Sequence, residues 1–199
     1  MKFHTSLVQT RFDCPLGPMI AAATDHGLAG LWFDDQRHLP PEVATWPRVD
    51  LATPIAAPHS NARQVLVQTQ AQLHAYFAGT RSTFDLPLDL AGGTAFQQAV
   101  WQALLALPAG TTTSYGRLSA SMGNPHAVRA VGAAVGRNPV SIIVPCHRVL
   151  GSDGALTGYA GGLHRKTALL TLEGVAVPPP PAPLKRVQPV QSATTESPF

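Results

Sequence analysis

The sequence changes its pattern at Ala91-Gly92-Gly93, and this change constrains the fold more than any other feature. Before it, strand-like segments alternate with turn-forming residues, whereas helix signals dominate after it. We therefore predict an α/β (α+β) fold, with a small N-terminal α/β domain followed by a mainly helical C-terminal domain. The predicted divisions are residues 1–91, residues 92–177 and a Pro-rich tail of residues 178–199, whose composition is typical of disorder.

The N-terminal part begins with a predicted antiparallel meander of three strands, Leu7–Asp13, Pro18–Thr24 and Leu28–Phe33. Residues 34–60 are rich in Pro and lack periodicity, which predicts a long loop. A helix is predicted from Asn61 to about Ala78, because four residues recur along one face: Val65, Thr69, Leu73 and Phe77. Residues 83–90 alternate between apolar and polar, which predicts a half-buried strand at a sheet edge.

The first and last helices of the C-terminal part have clear end signals. Thr94 and Gln97 form a capping box that opens a helix extending to about Leu107. The predicted core stripe of that helix is Phe96, Val100 and Leu104. The final helix begins near Gly162 and is closed by Gly174.

Two further helices lie between these. Ser114 can cap the first of them, which ends near Gly123. Asn124 can cap the second, with Pro125 in its first turn, and this helix extends to about Arg137. Its predicted buried stripe is Val128, Val131 and Val135. Two helices joined in this way predict a helix-turn-helix.

Arg129 is the only charged side chain between His126 and Arg137, and most of its neighbours are small. Small residues allow a helix to approach a DNA groove closely, and a single Arg could enter the gap left by a base that has left the stack. An Ala/Gly-rich core helix with one surface Arg is the alternative. On this segment alone, the alternative is favoured.

Charge is distributed unevenly along the 199 residues. The net charge is +3, but residues 91–177 carry six Lys or Arg against two acids, a local excess of +4. A basic half suggests a polyanionic partner, with DNA the obvious candidate, although ordinary solvated charge gives the same count.

Several other classes of protein are disfavoured. The longest apolar runs span a handful of residues, whereas a membrane helix needs about 20. The first five residues show no signal-peptide pattern. The two cysteines, Cys14 and Cys146, make no disulfide framework, which predicts a cytoplasmic protein with both thiols reduced. Metal-ligand spacing is absent around Cys14 and the scattered histidines, so no metal site is predicted.

The segment Pro145–Val149 carries the strongest signal for chemistry. It follows Val140–Val144, which is predicted to be a buried strand. A lone cysteine is more often a buried apolar residue than a nucleophile, and a thiol of pKa about 8.5 needs a base and a positive environment to react. His147 and Arg148 supply both directly after Cys146. Any contact between the thiol and the imidazole is expected to pass through one water.

Glu173 is one of only two acids in the basic half, and it is predicted in the last turn of the final helix. The helix dipole disfavours a negative charge there. A carboxylate at this position can orient His147 and hold its tautomer, as the third member of a triad does. A solvated helix end is the alternative.

Residues 151–162 contain five glycines, which predicts a loop with exposed backbone N–H groups. Such a loop suits the wall of a tight pocket, in which Tyr159 offers a flat surface to a base. A plain flexible connection is the alternative.

These motifs occur together in the order and spacing of methylated-DNA–protein-cysteine methyltransferases, the O6-alkylguanine-DNA alkyltransferases, which this sequence resembles. The resemblance extends from about Thr94 to Gly174 and is weak before it. It is carried by Ser114-Tyr115, Asn124-Pro125, Arg129, Arg137–Val140, Pro145–Val149, Gly158–Gly162 and Leu172–Gly174. It implies that the N-terminal half is an RNase-H-like supporting domain.

The resemblance also implies the reaction. Cys146 takes the alkyl group from O6-alkylguanine in double-stranded DNA, which is bound through its minor groove with the damaged base flipped out. The sulfur keeps that group as a thioether, so each molecule reacts once and needs no cofactor. His147 and Glu173 prepare the thiol, and Tyr115 donates to N3 of the leaving guanine. Whether O4-alkylthymine is a second substrate stays open.

Other roles follow from the same resemblance. Arg129 fills the gap of the flipped nucleotide, while Asn124 and Ser152 meet the DNA backbone. Asn138 holds the turn that precedes the active-site segment. Tyr159 and the Ala160 N–H line the pocket near O6.

The sequence departs from some family members at three positions. Ala160 replaces a serine and leaves only its backbone N–H for O6. Ser141 stands where some members carry proline, which bears on the tolerance of bulky alkyl groups. Gly116 replaces a longer polar residue, which puts one phosphate contact in question.

Three other functions fit parts of the sequence. A DNA-binding regulator would use the helix pair and need no reactive thiol. A thiol hydrolase with a Cys-His-Glu triad would turn over through an acyl-enzyme. A non-catalytic alkyltransferase-like binder is opposed by the presence of Cys146. Because the family's regulators add a metal-binding sensor domain that does not fit here, we expect a stand-alone repair protein that acts as a monomer.

Overall fold

The computed structural model describes residues 7–52 and 60–177. The predicted tail of residues 178–199 lies outside the described residues, as do residues 53–59 of the predicted loop. Within the described part of the chain, no helix is long and apolar enough to cross a membrane. The same residues contain no cluster of three or more His, Cys, Asp or Glu side chains that could hold a metal ion.

The N-terminal half is built on an antiparallel meander of strands β1 (Val8–Cys14), β2 (Gly17–Thr24) and β3 (Gly27–Phe33), in that order. The predicted meander is therefore confirmed. Alternate residues of a strand face opposite sides, and here both sides of the sheet are covered. One face joins the main core, whereas Ile20 and Trp32 on the other face pack near Val43.

Val43 belongs to a short 3₁₀ helix, Pro41–Thr45, within the predicted long loop. Helix α1 (Ser60–Phe77) covers the face of the sheet that joins the main core, opposite the face near Val43. It agrees with the predicted helix to within one residue at each end. Val65, Thr69 and Leu73 of the predicted face are buried. The helix therefore packs through the stripe that its four-residue spacing predicted.

The strand predicted over residues 83–90 is largely wrong. Only Leu88 forms a bridge, and it pairs with Leu28. The N–H of Leu28 donates to the carbonyl of Pro87 at 2.8 Å, and the N–H of Asp89 donates back to Leu28 at 2.9 Å. Pro87 has no N–H to extend the ladder. The apolar residues still face the core, which explains the alternation in the sequence.

Helix α2 (Ala95–Leu105) begins with the predicted capping box. Oγ1 of Thr94 accepts from the N–H of Gln97 at 3.3 Å, and Oε1 of Gln97 accepts from the N–H of Thr94 at 2.9 Å. The predicted core position of Phe96 is wrong, since this residue is 38% exposed. Trp101 is buried instead, and its Nε1 donates to the carbonyl of Ala134 at 2.9 Å.

The helix pair consists of α3 (Tyr115–Ser121) and α4 (Val128–Gly136), and α3 follows the two-residue strand β4 (Thr113–Ser114). The Ser114 side chain caps α3 as predicted by accepting from the N–H of Arg117 at 3.2 Å. Residues between the helices form a turn, so the pair has the predicted helix-turn-helix order.

The predicted cap of α4 is wrong. This helix begins after Ala127, and no side-chain hydrogen bond caps it. The carbonyl of Asn124 instead accepts from the N–H of Ala127 at 3.1 Å and from the hydroxyl of Ser119, which closes a separate turn. Val128 is 37% exposed and leaves the predicted stripe, whereas Val131 and Val135 are buried.

The predicted strand Val140–Val144 is also wrong, although the whole segment is buried. Only Val140 bridges to Leu31 of β3, after which the chain turns at Ile142 with a φ of 72°. Beyond the cysteine, strand β5 (Val149–Leu150) pairs in parallel with β4. Helix α5 (Leu163–Leu172) follows, with glycines of positive φ on either side of it as predicted. One hydrophobic core joins both halves of the chain.

Candidate active site

Cys146 opens a short 3₁₀ helix, Cys146–Arg148, and only 6% of it is exposed. The N–H of Cys146 donates to the carbonyl of Val144 at 2.8 Å. The thiol therefore follows a buried turn at residues 140–144 rather than the end of a strand.

Asn138 is the residue that ties this segment together. Its side-chain Nδ2 donates to Sγ of Cys146 at 3.1 Å, to the carbonyl of Val144 at 2.7 Å and to that of Val140 at 3.3 Å. Its Oδ1 accepts from the N–H of Val140 at 2.9 Å. The amide thus closes the turn and reaches the sulfur with the same group.

The pKa of the Cys146 thiol reflects opposing effects. Burial raises this pKa, while the hydrogen bond from Asn138 and the positive charge of Lys166 lower it in part. The net result is a pKa above the usual value of a free cysteine. The thiol therefore needs a base that takes its proton before the sulfur can react.

His147 follows directly and is completely buried. Its Nε2 lies 3.0 Å from Oε1 of Glu173. Burial lowers the pKa of His147, and the contact with Glu173 opposes this only in part. Because an ionised carboxylate can only accept, Nε2 carries the proton and Nδ1 is left as the basic nitrogen. Nδ1 is buried and has no hydrogen-bond partner among the described residues.

Glu173 caps the C-terminal end of α5 and accepts from two more residues. Arg148 donates through Nε to Oε2 at 2.9 Å and through Nη2 to Oε1 at 2.7 Å. The hydroxyl of Tyr76 donates to Oε1 at 2.8 Å. Burial alone would raise the pKa of this carboxyl, but the hydrogen bonds from His147 and Arg148 outweigh burial and hold the pKa far below its usual range.

The predicted role of Arg148 therefore needs correction. We expected its charge to act on the thiol, but its side chain points to Glu173 and to the carbonyl of Leu107. Tyr76 was not predicted as part of the site, because nothing in the sequence links it to a carboxylate 97 positions away.

Lys166 is a second residue that the sequence reasoning missed. It is fully buried, and its Nζ donates to the carbonyl of Val149 at 2.5 Å and to that of Thr157 at 2.7 Å. Among the described residues, no carboxylate forms an ion pair with it. Burial lowers its pKa to about 8, although a thiolate at Cys146 would raise it. Its spacing from Leu169 and Leu170 on α5 could have indicated a buried lysine.

A cavity of about 420 Å³ lies next to this cluster, lined by Arg37, His38, Tyr115, Val128, Gly132, Gly136, Thr157, Gly158, Tyr159 and Ala160. Two of the predicted pocket residues, Tyr159 and Ala160, line this cavity together with the predicted catalytic residue Tyr115, whereas the predicted pocket residue Asn138 does not line it. Burial raises the pKa of both phenols, and a thiolate at Cys146 raises them further. Cys146 itself does not line the cavity.

Arg37 and His38 bring the N-terminal half to the rim of the same cavity, which the sequence did not predict. The N–H of Arg37 donates to the carbonyl of Ala160 at 3.0 Å. His38 has a φ of 63°, which is unusual for a residue with a side chain. The loop after β3 therefore approaches the glycine-rich loop closely.

The predicted DNA-contacting residues lie apart from the buried cluster. Arg129 and Asn124 are exposed on and before α4, and Ser152 is exposed in the loop after β5. The small residues Ala130 and Ala133 are also exposed, so no large side chain projects from these positions of α4 near Arg129. The structure places these three residues on the surface, where their roles stay predictions.

Two family models match the chain. Residues 7–90 match the ribonuclease-like domain of 6-O-methylguanine DNA methyltransferase, and residues 95–175 match the DNA binding domain of the same protein. Together they confirm the predicted fold class.

Curated relatives agree with these matches. The methylated-DNA–protein-cysteine methyltransferase of Mycobacterium leprae is 46% identical over 161 residues, which are 81% of this chain and 88% of the relative. That of Salmonella typhimurium is 58% identical over 99 residues, which are 50% of this chain and 58% of the relative.

A solved structure of Mycobacterium tuberculosis OGT in complex with DNA superimposes with a TM-score of 0.71. It is 43% identical, and the match covers 83% of this chain and 92% of that chain. The fold and the site thus define a protein with a buried cysteine, an adjacent buried His-Glu pair and a helix-turn-helix. The chain belongs to the family of methylated-DNA–protein-cysteine methyltransferases.

Proposed function

We propose that this chain repairs DNA by direct reversal and that Cys146 is the residue that accepts the alkyl group. As a member of its family, the chain is a methyltransferase that moves an alkyl group from DNA to one of its own cysteines. The observation that supports Cys146 is the buried His147–Glu173 pair beside it. Among the described residues, Cys14 has no such pair beside it, and its thiol donates to the carbonyl of Gly17.

The proposed reaction begins with removal of the thiol proton. Nδ1 of His147 takes it, through one water, because Nε2 is committed to Glu173. Asn138 then stabilises the thiolate through its hydrogen bond to Sγ. Burial makes His147 a neutral base at neutral pH, because it lowers the pKa of His147 by more than the contact with Glu173 raises it.

In the second step the thiolate attacks the alkyl carbon of O6-alkylguanine in line with the bond to O6. The C–S bond forms as the C–O6 bond breaks, and the electron pair leaves with guanine. Tyr115 donates a hydrogen bond to N3 of that leaving base, while Tyr159 and the Ala160 N–H form the pocket around it. A thioether has no leaving group comparable to guanine, so the protein is consumed in one reaction.

DNA reaches this pocket with the damaged base turned out of the stack, since the sulfur is too deeply buried to meet a stacked base. We propose binding through the minor groove, with Arg129 in the gap and with Asn124 and Ser152 at the backbone. Exposed small residues around Arg129 support close approach of α4. The two reduced cysteines fit a cytoplasmic protein, and we propose that it acts as a monomer.

The test is intact-protein mass spectrometry after incubation with a duplex oligonucleotide carrying O6-methylguanine. We expect the mass to rise by one methyl group, located on the peptide that contains Cys146. Cys146→Ser should abolish the gain and Cys14→Ser should preserve it. A gain on Cys14 would contradict the assignment of Cys146, and binding without any gain would favour a regulator. Repeated turnover of an ester substrate would favour a hydrolase.

A further inference from the structure

Tyr76 reaches from the N-terminal half into the acid–base pair of the C-terminal half. It is 2% exposed, and its ring packs against Phe77 and Phe84 at centroid distances of 5.4 and 5.3 Å. Its hydroxyl donates to Oε1 of Glu173 at 2.8 Å. Burial and the adjacent carboxylate raise the pKa of this phenol, so it stays protonated and acts as a donor.

The oxygen that receives this hydrogen bond is shared. Oε1 of Glu173 accepts from Tyr76, from Nε2 of His147 and from Nη2 of Arg148, whereas Oε2 accepts only from Nε of Arg148. A carboxylate oxygen has about two lone pairs, so three donors compete for it. The Tyr76 hydroxyl therefore affects both where Oε1 lies and how strongly it attracts the proton on His147.

We propose that Tyr76 is a positioning residue for alkyl transfer, whose hydroxyl shares Oε1 of Glu173 with His147 and so keeps His147 neutral. The proposal rests on the proposed function, because it requires His147 to take the thiol proton. It also gives the N-terminal half a part in the chemistry, since α1 supplies the hydroxyl.

The charged and titratable groups that face this pair are few. His147 is influenced by Glu173, by Arg148 and by Lys166 on α5, while Glu173 faces Tyr76, His147 and Arg148. A neutral substitution of Arg148 or of Lys166 would alter the charge of a buried cluster. Tyr76→Phe alters no charge and preserves the ring that packs against Phe84, so it isolates the hydroxyl.

Removing the Tyr76 hydroxyl should change the pKa of His147 in a predictable direction. Oε1 loses one competing donor and attracts the proton of His147 more strongly, which favours the imidazolium. The pKa of His147 should rise, and the acid limb of the transfer rate should move to higher pH with it. Because less of the neutral base is then present at a given acidic pH, the rate on that limb should fall by about threefold to tenfold.

Thr69→Val is the matched control on the same helix. Its hydroxyl is also buried, but it donates to the carbonyl of Val65 at 2.7 Å and does not touch Glu173. The control should lose stability without any change in the pH profile. Both variants are compared with the unchanged protein for rate of methyl transfer against pH and for thermal stability.

The pKa of His147 is read separately by NMR on histidine-labelled protein, with the signal assigned from a His147→Gln variant. This readout does not depend on alkyl transfer, so failure of the proposed function would be visible as absence of a methyl gain in the unchanged protein. A raised pKa in Tyr76→Phe alone supports the proposal. An unchanged or lowered pKa, or the same shift in Thr69→Val, would overturn it.

Discussion

The side-chain amide of Asn138 donates a hydrogen bond to Sγ of Cys146 at a nitrogen–sulfur distance of 3.1 Å. The same nitrogen donates to the carbonyls of Val140 and Val144, on either side of the turn at Ile142. One amide thus determines both the shape of the segment and the electrostatic environment of the sulfur. A donor at this distance stabilises a thiolate more than a thiol.

Asn138→Ala should therefore raise the pKa of the Cys146 thiol by about one unit, which corresponds to about 1.4 kcal/mol. It should also lower the free energy of unfolding by about 2–3 kcal/mol, since two buried carbonyls each lose one of their donors and the buried N–H of Val140 loses its acceptor. The pH dependence of iodoacetamide alkylation measures the first effect, and urea unfolding measures the second. An unchanged thiol pKa would show that the amide serves only the turn.

Glu173→Gln should destabilise the protein at neutral pH by about 3–5 kcal/mol, because Arg148 would remain buried without its counter-charge. Methyl transfer should slow sharply as well, since a neutral amide oxygen holds the tautomer of His147 less strongly than the carboxylate does. Chemical unfolding and the single-turnover rate measure the two effects. Normal stability with normal transfer would contradict the assigned network.

The same carboxyl predicts how stability depends on pH. In the unfolded chain a Glu side chain takes up a proton at about pH 4.3, whereas folding holds the pKa of Glu173 well below that value. Unfolding in acid is therefore accompanied by proton uptake. The stabilisation is complete above about pH 4.3 and is lost as the pH falls, by up to about 1.4 kcal/mol per pH unit. Glu173→Gln should show a shallower acid slope in urea unfolding.

Lys166→Met should raise the pKa of the Cys146 thiol by about one unit, because it removes a buried positive charge that favours the thiolate. Stability should change little, since removal of a buried charge offsets the loss of its hydrogen bonds to the carbonyls of Val149 and Thr157. Thiol alkylation against pH measures the first effect. His164→Gln on the exposed side of α5 is the control and should leave the thiol pKa unchanged. If Lys166→Met and the unchanged protein show the same dependence of thiol alkylation on pH, the charge of Lys166 does not affect the thiol pKa.

Arg129→Ala should slow repair of O6-methylguanine in duplex DNA by about tenfold or more, because turning a base out of the stack costs a few kcal/mol that a filled gap offsets. Repair in a single strand should change little, since no stack must be opened there. Arg11→Ala on the exposed side of β1 provides a control with the same loss of charge. Equal slowing in both forms of DNA would argue against gap filling.

Local signals predicted local structure well. The capping box at Thr94 and Gln97 and the Ser114 cap involve residues within one helical turn, so their hydrogen bonds depend little on the rest of the chain. The meander was predicted for the same reason, because turn residues separate its strands directly.

Predictions failed where a particular hydrogen bond or packing contact, rather than the residue type, decides the outcome. Val140–Val144 has the composition of a buried strand, but only Val140 bridges to Leu31, and the bonds from Asn138 hold the rest as a turn. Asn124 has the residue type of a cap, but α4 begins only after Ala127. Phe96 fits the helical stripe, yet Trp101 fills that part of the core.

The sequence alone predicted Cys146 as the acceptor thiol together with its neighbouring histidine, because residues adjacent in the chain stay adjacent in any fold. It also indicated Glu173 by the cost of an acid at a helix end. Only the tertiary structure decided that Arg148 faces Glu173, that Lys166 is buried behind Cys146, and that Tyr76 reaches the same carboxylate. Side-chain direction and burial depend on packing between elements far apart in the chain, which no local pattern encodes.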